Sequence, residues 1–526
     1  FCRNRLTNLP KNVALCALDQ KYIFRLEAIF LLPVNCGSHS DYQNFVVKNL
    51  RKYYPVPDAL ARSTWDIIER FWHLDLSDTD VLLADKYSRF GPAPRVPSCM
   101  QRSYLLSIDF KVHSITDWAA QLKINPLYAI LSGFDFGNTP GVGTFYDFFR
   151  KLWDSGSDNL SPHIRPLKKK KVKKPDTKGE KAASVEKTTV ADLLPQLEKT
   201  SFSLNEQPYA SLFKIYQKEF LDVSVEKGLI HKDNLALAGD GTPVVTSHRE
   251  RKKRICKCKE NGISDCNCDR YFSQPDCDIG WDSSRDCFYH GYDLYMLVDS
   301  QSDLPVFPHY SCASMHDSHG FLQAFFRMRS FLPDYKVSKV LLDSAHDAMP
   351  YYQYFKRQNI TPFIDLNSKA GRPPVYKNDF TIDKDGVPIC PARHRMRRDG
   401  IEAAKGRMKF KCPKISHAGG CISCTCDNPC SNAKYGRTVH LILNDNPRLF
   451  NHPPRSSKEW KLEYNARTSA ERSNKREKSD FKLEDGRHRS TKMWYCRLYH
   501  ILMLQHLDAW DMPSESTLRK LILDVA

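Results

Sequence analysis

Long apolar runs are missing from this sequence. Segments such as Ala28–Leu32, cut off by Pro33, fall far short of the roughly 18 to 20 residues that a membrane-spanning helix needs, and no amino-terminal signal pattern is visible. The expectation is a soluble, intracellular protein with no membrane partner. Acidic residues are also outnumbered. Lysine and arginine total 79 against 61 aspartates and glutamates, and the resulting +18 favours polyanionic partners, nucleic acid first and acidic membrane second, over small neutral metabolites. No internal repeat is present, and the chain opens on Phe1, so its start is expected to lie upstream. Cysteine, by contrast, is plentiful and unevenly placed: of 18, six fall between Cys256 and Cys287 and six between Cys390 and Cys430. A secreted disulfide protein would be small and carry a signal, whereas clustered cysteines in a large intracellular chain point to zinc ligation or to reduced thiols.

With 526 residues and 41% hydrophobic content, the chain has room for roughly two to four domains. Residues 1–100 read only as mixed, proline-containing and helical. From Ser114 the pattern sharpens. Ser114 and Asp117 form a capping pair before Trp118, Ala119 and Leu122, Pro126 opens a second helix through Leu131 that Gly133 closes, and a third follows Thr144 with Phe145, Phe148, Phe149, Leu152 and Trp153 at helical spacing. Three short helices with tight turns suit a helix-turn-helix DNA reader at about 100–155 of a helical region 1–160. They also suit any small helical bundle. Between Lys168 and Lys174 six of seven residues are lysine, in a polar stretch that reads as a basic flexible linker over 161–200, able to touch phosphates without sequence preference.

Beyond the linker, strands alternate with helices. Leu235–Ala238, Phe288–Val298 and Pro305–Tyr310 read as strands, Gly320–Leu332 as a helix, Val337–Leu342 as a strand, Asp347 as the cap of a helix through Phe355, and Ile360–Leu366 as a further strand. This order implies an α/β fold with a mixed sheet covered on its faces. Asp240 and Asp343 each follow an apolar strand, where α/β folds place their ligands. A third carboxylate comes from the segment 464–478. On one α-helix, Tyr464, Arg467, Glu471 and Lys478 would share a stripe about 60° wide. Such a stripe lets the carboxylate hold a metal while the cations and the phenol grip phosphate oxygens. Taken alone, it equally fits a solvated helix face with an ion pair.

The spacing Tyr464-x2-Arg467-x3-Glu471-x6-Lys478 resembles the Tyr-Arg-Glu-Lys signature of bacterial insertion-sequence transposases of the DDE class. Gly239-Asp240-Gly241-Thr242 and Leu341-Leu342-Asp343-Ser344-Ala345-His346-Asp347 resemble that family's two aspartate strands, in the family's order, and the likeness spans about residues 230–510. The resemblance implies a ribonuclease H-like core in which Asp240, Asp343 and Glu471 are the catalytic residues and ligate two Mg²⁺ (or Mn²⁺) ions, while Tyr464, Arg467 and Lys478 contact phosphates of the element's end. It implies a transposase that binds terminal inverted repeats, cleaves the DNA by metal-dependent hydrolysis and joins the 3′-hydroxyl ends to target DNA, as a homodimer or larger assembly on DNA, in the bacterial cytoplasm at the nucleoid. Asp347 is the nearest competitor as a ligand, with a helix cap as its expected role, and His346 reads as a packed residue beside the site. Two other readings stand: a nuclease of the same fold without strand transfer, and a non-catalytic DNA-binding protein derived from a transposase.

Asp343 and Glu471 are 471 − 343 = 128 residues apart, more than a sheet-to-helix connection needs. An insertion over 369–455 is expected between a first core part, 201–368, and a last part, 456–526. It contains Cys390, Cys412, Cys421, Cys424, Cys426 and Cys430 among Arg393, Arg395, Arg397, Arg398 and Lys409. Cys421-x2-Cys424 with Cys390 and Cys412 could form a four-thiolate structural zinc site. A smaller insertion, 249–287, places Cys256-x-Cys258-x7-Cys266-x-Cys268 after the basic run Arg249–Arg254, and its two Cys-x-Cys pairs could clamp one metal.

Overall fold

The computed structural model describes residues 38–56, 60–88, 93–160, 164–165, 188–246, 253–254, 256–266, 268, 270–271, 274–367, 380–383, 385–416, 423–427, 429–433, 435–511 and 517–523. The chain divides into two compact units, one formed by 1–155, 208–222 and 499–526 and the other by 156–207 and 223–498. Among the described residues no helix is long and apolar enough to cross a membrane.

The first unit is helical throughout its described residues, with α1 (His39–Tyr53), α2 (Arg62–His73), α3 (Ser77–Leu83), α4 (Pro97–Asp109), α5 (Ile115–Ile124), α6 (Pro126–Ser132) and α7 (Val142–Lys151). Local chemistry sets their ends. The Ser114 hydroxyl accepts from the Asp117 amide at 3.3 Å, and Asn125, which ends α5, accepts from the Leu127 amide at 3.0 Å to start α6 with Pro126 in its first turn. The three helices expected over 114–153 are therefore present. Helix α4 is buried from Met100 to Ile108, with Trp118 donating to the Ser103 hydroxyl at 2.9 Å and Tyr104 meeting Phe149 edge-on at 4.7 Å. Buried Asp80 accepts from the amide and hydroxyl of Ser98 at 2.7 and 2.9 Å.

In the second unit, the stretch read as a linker to residue 200 ends in a helix, α8 (Val190–Lys199), because Val190, Leu194 and Leu197 recur on one face and bury. The lysine run 168–174 lies outside the described residues. The sheet comprises β1 (Leu235–Val245), β2 (Asp278–Asp282), β3 (Cys287–Asp299), β4 (Pro305–Cys312), β5 (Val337–Leu342) and β6 (Thr361–Ile364). Strand β3 carries β2 and β4 one after the other along one edge and β1 along the other, after which come β5 and β6. Strands β3 and β1 are antiparallel, whereas β1, β5 and β6 run parallel, so the α/β mixed sheet expected from the strand order is present.

Helices α9 (Asp317–Phe331) and α10 (Met349–Arg357) follow β4 and β5, and α11 (Lys458–Asn465), α12 (Thr468–Lys475) and α13 (Thr491–Ala509) come later, α13 belonging to the first unit from Tyr499 and preceding a final helix, Thr517–Leu523. Between β6 and α11, β7 (Arg397–Glu402), β8 (Arg407–Lys411) and β9 (Thr438–Ile442) form a separate antiparallel sheet. Met408 and Phe410 alternate with Arg407, Lys409 and Lys411 and join Val439, Leu441, Leu449 and Phe450 in its own apolar core.

Strand β1 is longer than its apolar residues suggest. Pairing with β5 stops at Ala238↔Leu341, but β3 continues to pair with it from Asp240↔Met296 to Val245↔Gly291. Asp240 therefore sits within the strand rather than after it, at the point where one neighbour ends.

Candidate functional site: a carboxylate-lined mouth in the sheet

The register of β1 and β5 brings the two aspartates together. Ala238 lies opposite Leu341, so Asp240 and Asp343, two residues on in parallel strands, arrive at the same level where β5 stops. Asp343 is then fixed from its own turn: its Oδ1 accepts from the Ala345 amide at 3.1 Å and lies 2.6 Å from His346 Nδ1. The His346 ring is 1% exposed, and its Nε2 meets the Tyr295 hydroxyl, from β3, at 2.9 Å. A chain Tyr295, His346, Asp343 thus orients one carboxylate from the sheet core.

The glycines on either side of Asp240 have steric causes. A Cβ at Gly239 would stand 2.8 Å from the Tyr295 hydroxyl and 3.0 Å from Leu342, and one at Gly241 would stand 2.6 Å from an oxygen of Asp317, in the first turn of α9. Successive strand residues point to opposite faces, so Asp240 faces away from α9, where Asn474 of α12 donates to its Oδ2 at 3.2 Å.

The segment carrying the third carboxylate is not one helix. It breaks between Asn465 and Thr468, where the Thr468 hydroxyl donates to the Asn465 carbonyl at 2.9 Å and competes with the helical ladder. Tyr464 lies in the last turn of α11, its ring stacked on Trp460 at 4.5 Å, while Arg467 is the cap position of α12 and Glu471 lies in its first turn. The single stripe expected over 464–478 is therefore replaced by two helices and a turn of π-helical geometry, 476–480, that carries Lys478. Arg467 still donates to Glu471 at 2.5 Å, four residues on. Lys478 donates to the carbonyl of Pro243, on β1, at 2.6 Å and lies 3.5 Å from Glu484.

Electrostatics tie these groups into one site. Burial pushes the Asp240 carboxyl up to about 7, with the Arg467 guanidinium opposing and Asp317, Asp343 and Glu471 adding to the rise. Burial also acts to raise Asp343, but His346, the Ala345 amide and Arg467 together hold it below its ordinary value. Two further carboxylates belong to the same neighbourhood. Burial raises Asp317, and it raises Asp293 well above the usual range, with Asp317 and Asp240 adding. Asp293 Oδ2 and Asn474 Oδ1 are buried and without a hydrogen-bond partner among the described residues.

Asp240, Asp343, Glu471 and Arg467 thus share one neighbourhood, with Tyr464 and Lys478 at its margins. Asp347 does not cap the helix it precedes, since Ala348 does. Its buried carboxylate takes a two-pronged ion pair from Arg448 at 2.8 and 2.5 Å, a hydrogen bond from Tyr352 at 3.0 Å and one from the Asn367 amide at 2.7 Å. Asp293, Asp317 and Asn474 escape a sequence reading. The only sequence signal for Asp293 is a lone charge within the apolar run of β3.

Of the cysteines proposed for the larger insertion, Cys390 and Cys412 are buried, Cys421 lies outside the described residues, and the Cys424 side chain is likewise outside them. The smaller insertion gives the only group of three or more potential metal ligands found close together among the described residues. The ligand atoms of Cys256, Cys258, Cys266 and Cys268 all lie within 4.8 Å of one another. Comparison with models of known protein families and with curated proteins finds no match to this chain.

Proposed function

We propose that the protein is a DDE-class DNA transposase with a ribonuclease H-like core, acting on the ends of its own element. The observation that carries this reading is the register that brings Asp240 and Asp343 to one level where β5 ends beside β1, with Glu471 near enough to add to the rise of the Asp240 carboxyl, although the three do not stand as close together as the ligands of a single ion. The strand order β4-β3-β1-β5-β6, an antiparallel meander followed by two parallel strands, supports the core assignment.

The donor set suits hard divalent cations. Asp240, pushed up to about 7 by burial and by its acidic neighbours, would be relieved by positive charge beside it and Asp343, and oxygen ligands of this kind suit Mg²⁺ or Mn²⁺. Two such ions held by Asp240, Asp343 and Glu471 would activate the attacking water or 3′-hydroxyl and stabilise the leaving oxygen. The chain's own groups do the rest. His346 and Asn474 orient Asp343 and Asp240, Arg467 pairs with Glu471, and Tyr464, Arg467 and Lys478 would border the space for phosphates of the element end.

The test uses DNA that flanks the coding sequence, labelled at both ends and incubated with Mg²⁺ and a target plasmid. Cleavage at an element end followed by a joined product is expected. Asp240→Ala, Asp343→Ala and Glu471→Ala should each abolish cleavage while leaving end binding largely intact. Cleavage without joined product would replace the transposase reading with a nuclease, and binding without any cleavage would leave a DNA-binding protein derived from a transposase.

A further inference from the structure

The connection from β1 to β2 passes through a narrow ribbon in which Lys253 pairs with Tyr271 and Arg254 with Arg270, and Ile164–Arg165 adds a third two-residue strand beside Arg270–Tyr271. Two-residue strands are too short to hold themselves together in water. Apolar packing does not help: among the described residues of 256–268 the only buried side chain is Cys266, and Ile263 is 51% exposed. Yet four thiols meet there. Cys256 and Cys266 sulfurs are 3.4 Å apart and those of Cys258 and Cys268 are 3.7 Å apart, each pair crossing from one arm of the loop to the other.

These distances are too long for disulfides, whose sulfurs lie about 2.05 Å apart. They are close to what a metal demands, since four thiolates at about 2.3 Å from a tetrahedral zinc stand roughly 3.8 Å from one another. The turn between the two Cys-x-Cys pairs is closed by its own backbone, with the Ile263 amide donating to the Cys258 carbonyl at 2.8 Å and the Gly262 amide to the Lys259 carbonyl at 3.2 Å. Exposed Lys257 and Lys259 alternate with Cys256 and Cys258 and bring positive charge to a centre that four thiolates would leave anionic.

We propose that Cys256, Cys258, Cys266 and Cys268 bind one structural Zn²⁺ that holds the ribbon after the Asp240 strand. Four soft sulfur ligands with no open position suit zinc in a structural role and suit Mg²⁺ poorly. Small modules that lack a core commonly fold on their metal in this way. The inference rests on sulfur geometry and on the missing core, and it stands or falls apart from the reading of the carboxylate mouth.

The test is the metal content of the purified full chain. One zinc per chain is expected at this site, released when its thiols are titrated with a mercurial. Replacement with Co²⁺ should give the strong visible absorption of a tetrahedral thiolate site. The pair Cys256→Ser with Cys266→Ser should lower the zinc content by one ion per chain, while Cys287→Ser should leave it unchanged. Zinc removal from the parent protein by a chelator should open the ribbon to trypsin at Lys257 and Lys259, and zinc return should close it, a readout that needs no variant to fold. Equal zinc in the double variant and the parent, iron in place of zinc, or trypsin cleavage indifferent to zinc would each overturn the proposal.

Discussion

The carboxylate mouth takes Asp240 from within β1 and the cysteine ribbon follows that strand along the chain, and the two gather their ligand-type atoms in opposite ways. In the mouth Asp240, Asp343 and Asn474 are hung on packed structure: Asp240 on a strand paired to β3, Asp343 through His346 to buried Tyr295, Asn474 on a helix against the sheet. The ribbon has two-residue strands and one buried cysteine. A mouth of this kind stands before any ligand arrives, and its burial, with acidic neighbours adding, shows in the raised Asp240 carboxyl. The ribbon is backed only by the two residues Ile164–Arg165, so under the zinc proposal its order comes from what the thiols hold. Charge repulsion is stored in the first region, and folding free energy is borrowed from a metal in the second.

The sharpest test of this contrast is Asp240→Asn, with the largest expected effect. Under the proposed function it should lower DNA cleavage by about 10³-fold or more, since several kcal/mol of charge stabilisation are lost at 1.36 kcal/mol per tenfold. The metal-free protein should nevertheless melt higher, because a neutral amide removes a crowded carboxyl. A lower melting temperature would mean that the mouth, like the ribbon, depends on its ligand. Next comes Arg448→Ala, which strips the ion pair from a fully buried Asp347 carboxylate. It should cost about 3 to 5 kcal/mol in denaturant unfolding, the usual penalty of an abandoned buried charge. Adding Asp347→Asn should recover part of the loss. A negligible effect would show that the hydrogen bonds from Tyr352 and the Asn367 amide suffice to hold the buried Asp347 carboxylate.

Asp80, in the helical unit, offers a buried carboxyl that has its partners and no ligand to wait for. Burial pushes it up to about 6, with Ser98 opposing. Its folded value lies above the unfolded one, so the stability it contributes is full below about pH 4, falls as pH rises toward 6 and is level beyond. At 1.36 kcal/mol per pH unit, the stability of Asp80→Asn relative to the parent should therefore grow by about 2 kcal/mol between pH 4 and pH 6 in denaturant titrations. A difference that stayed flat with pH would show that the Ser98 hydrogen bonds fully offset burial. Burial would then be insufficient to explain the raised Asp240.

The elements were legible where the signal was local. Val337–Leu342 reads as a strand because it is a short apolar run, and Asp343 follows it at the sheet edge; Ser114, Asn125 and Pro126 set helix ends through their nearest neighbours. What escaped depends on distant partners. The second half of β1 is Gly-Asp-Gly-Thr-Pro, poor strand material alone, and it is a strand because β3 pairs with it. Asp347 looks like a cap by position, yet its partner Arg448 is 101 residues away. The helix break at Asn465 defeats a stripe computed on an unbroken helix, although the Arg467–Glu471 pair survives because both residues lie at the start of α12. For the cysteines, spacing offered two possible metal sets, and only the ribbon's register showed that Cys256, Cys258, Cys266 and Cys268 meet.

The smallest effect expected, and the most telling about how the mouth is built, belongs to His346. It is buried, so it does not itself face substrate; what it does is hold Asp343 Oδ1 at 2.6 Å while Tyr295 holds it at 2.9 Å. Loss of a group that orients a metal ligand typically costs 10- to 100-fold in affinity or activity. His346→Gln should therefore move the Mg²⁺ concentration for half-maximal cleavage upward by about 10- to 100-fold while the rate at saturating Mg²⁺ stays near that of the parent. Tyr295→Phe, one step further out, should shift it less. A fall in the saturating rate with an unmoved Mg²⁺ dependence would instead make His346 a support of the fold. An effect of Tyr295→Phe larger than that of His346→Gln would mean that the chain from the sheet core to Asp343 does not run through the imidazole.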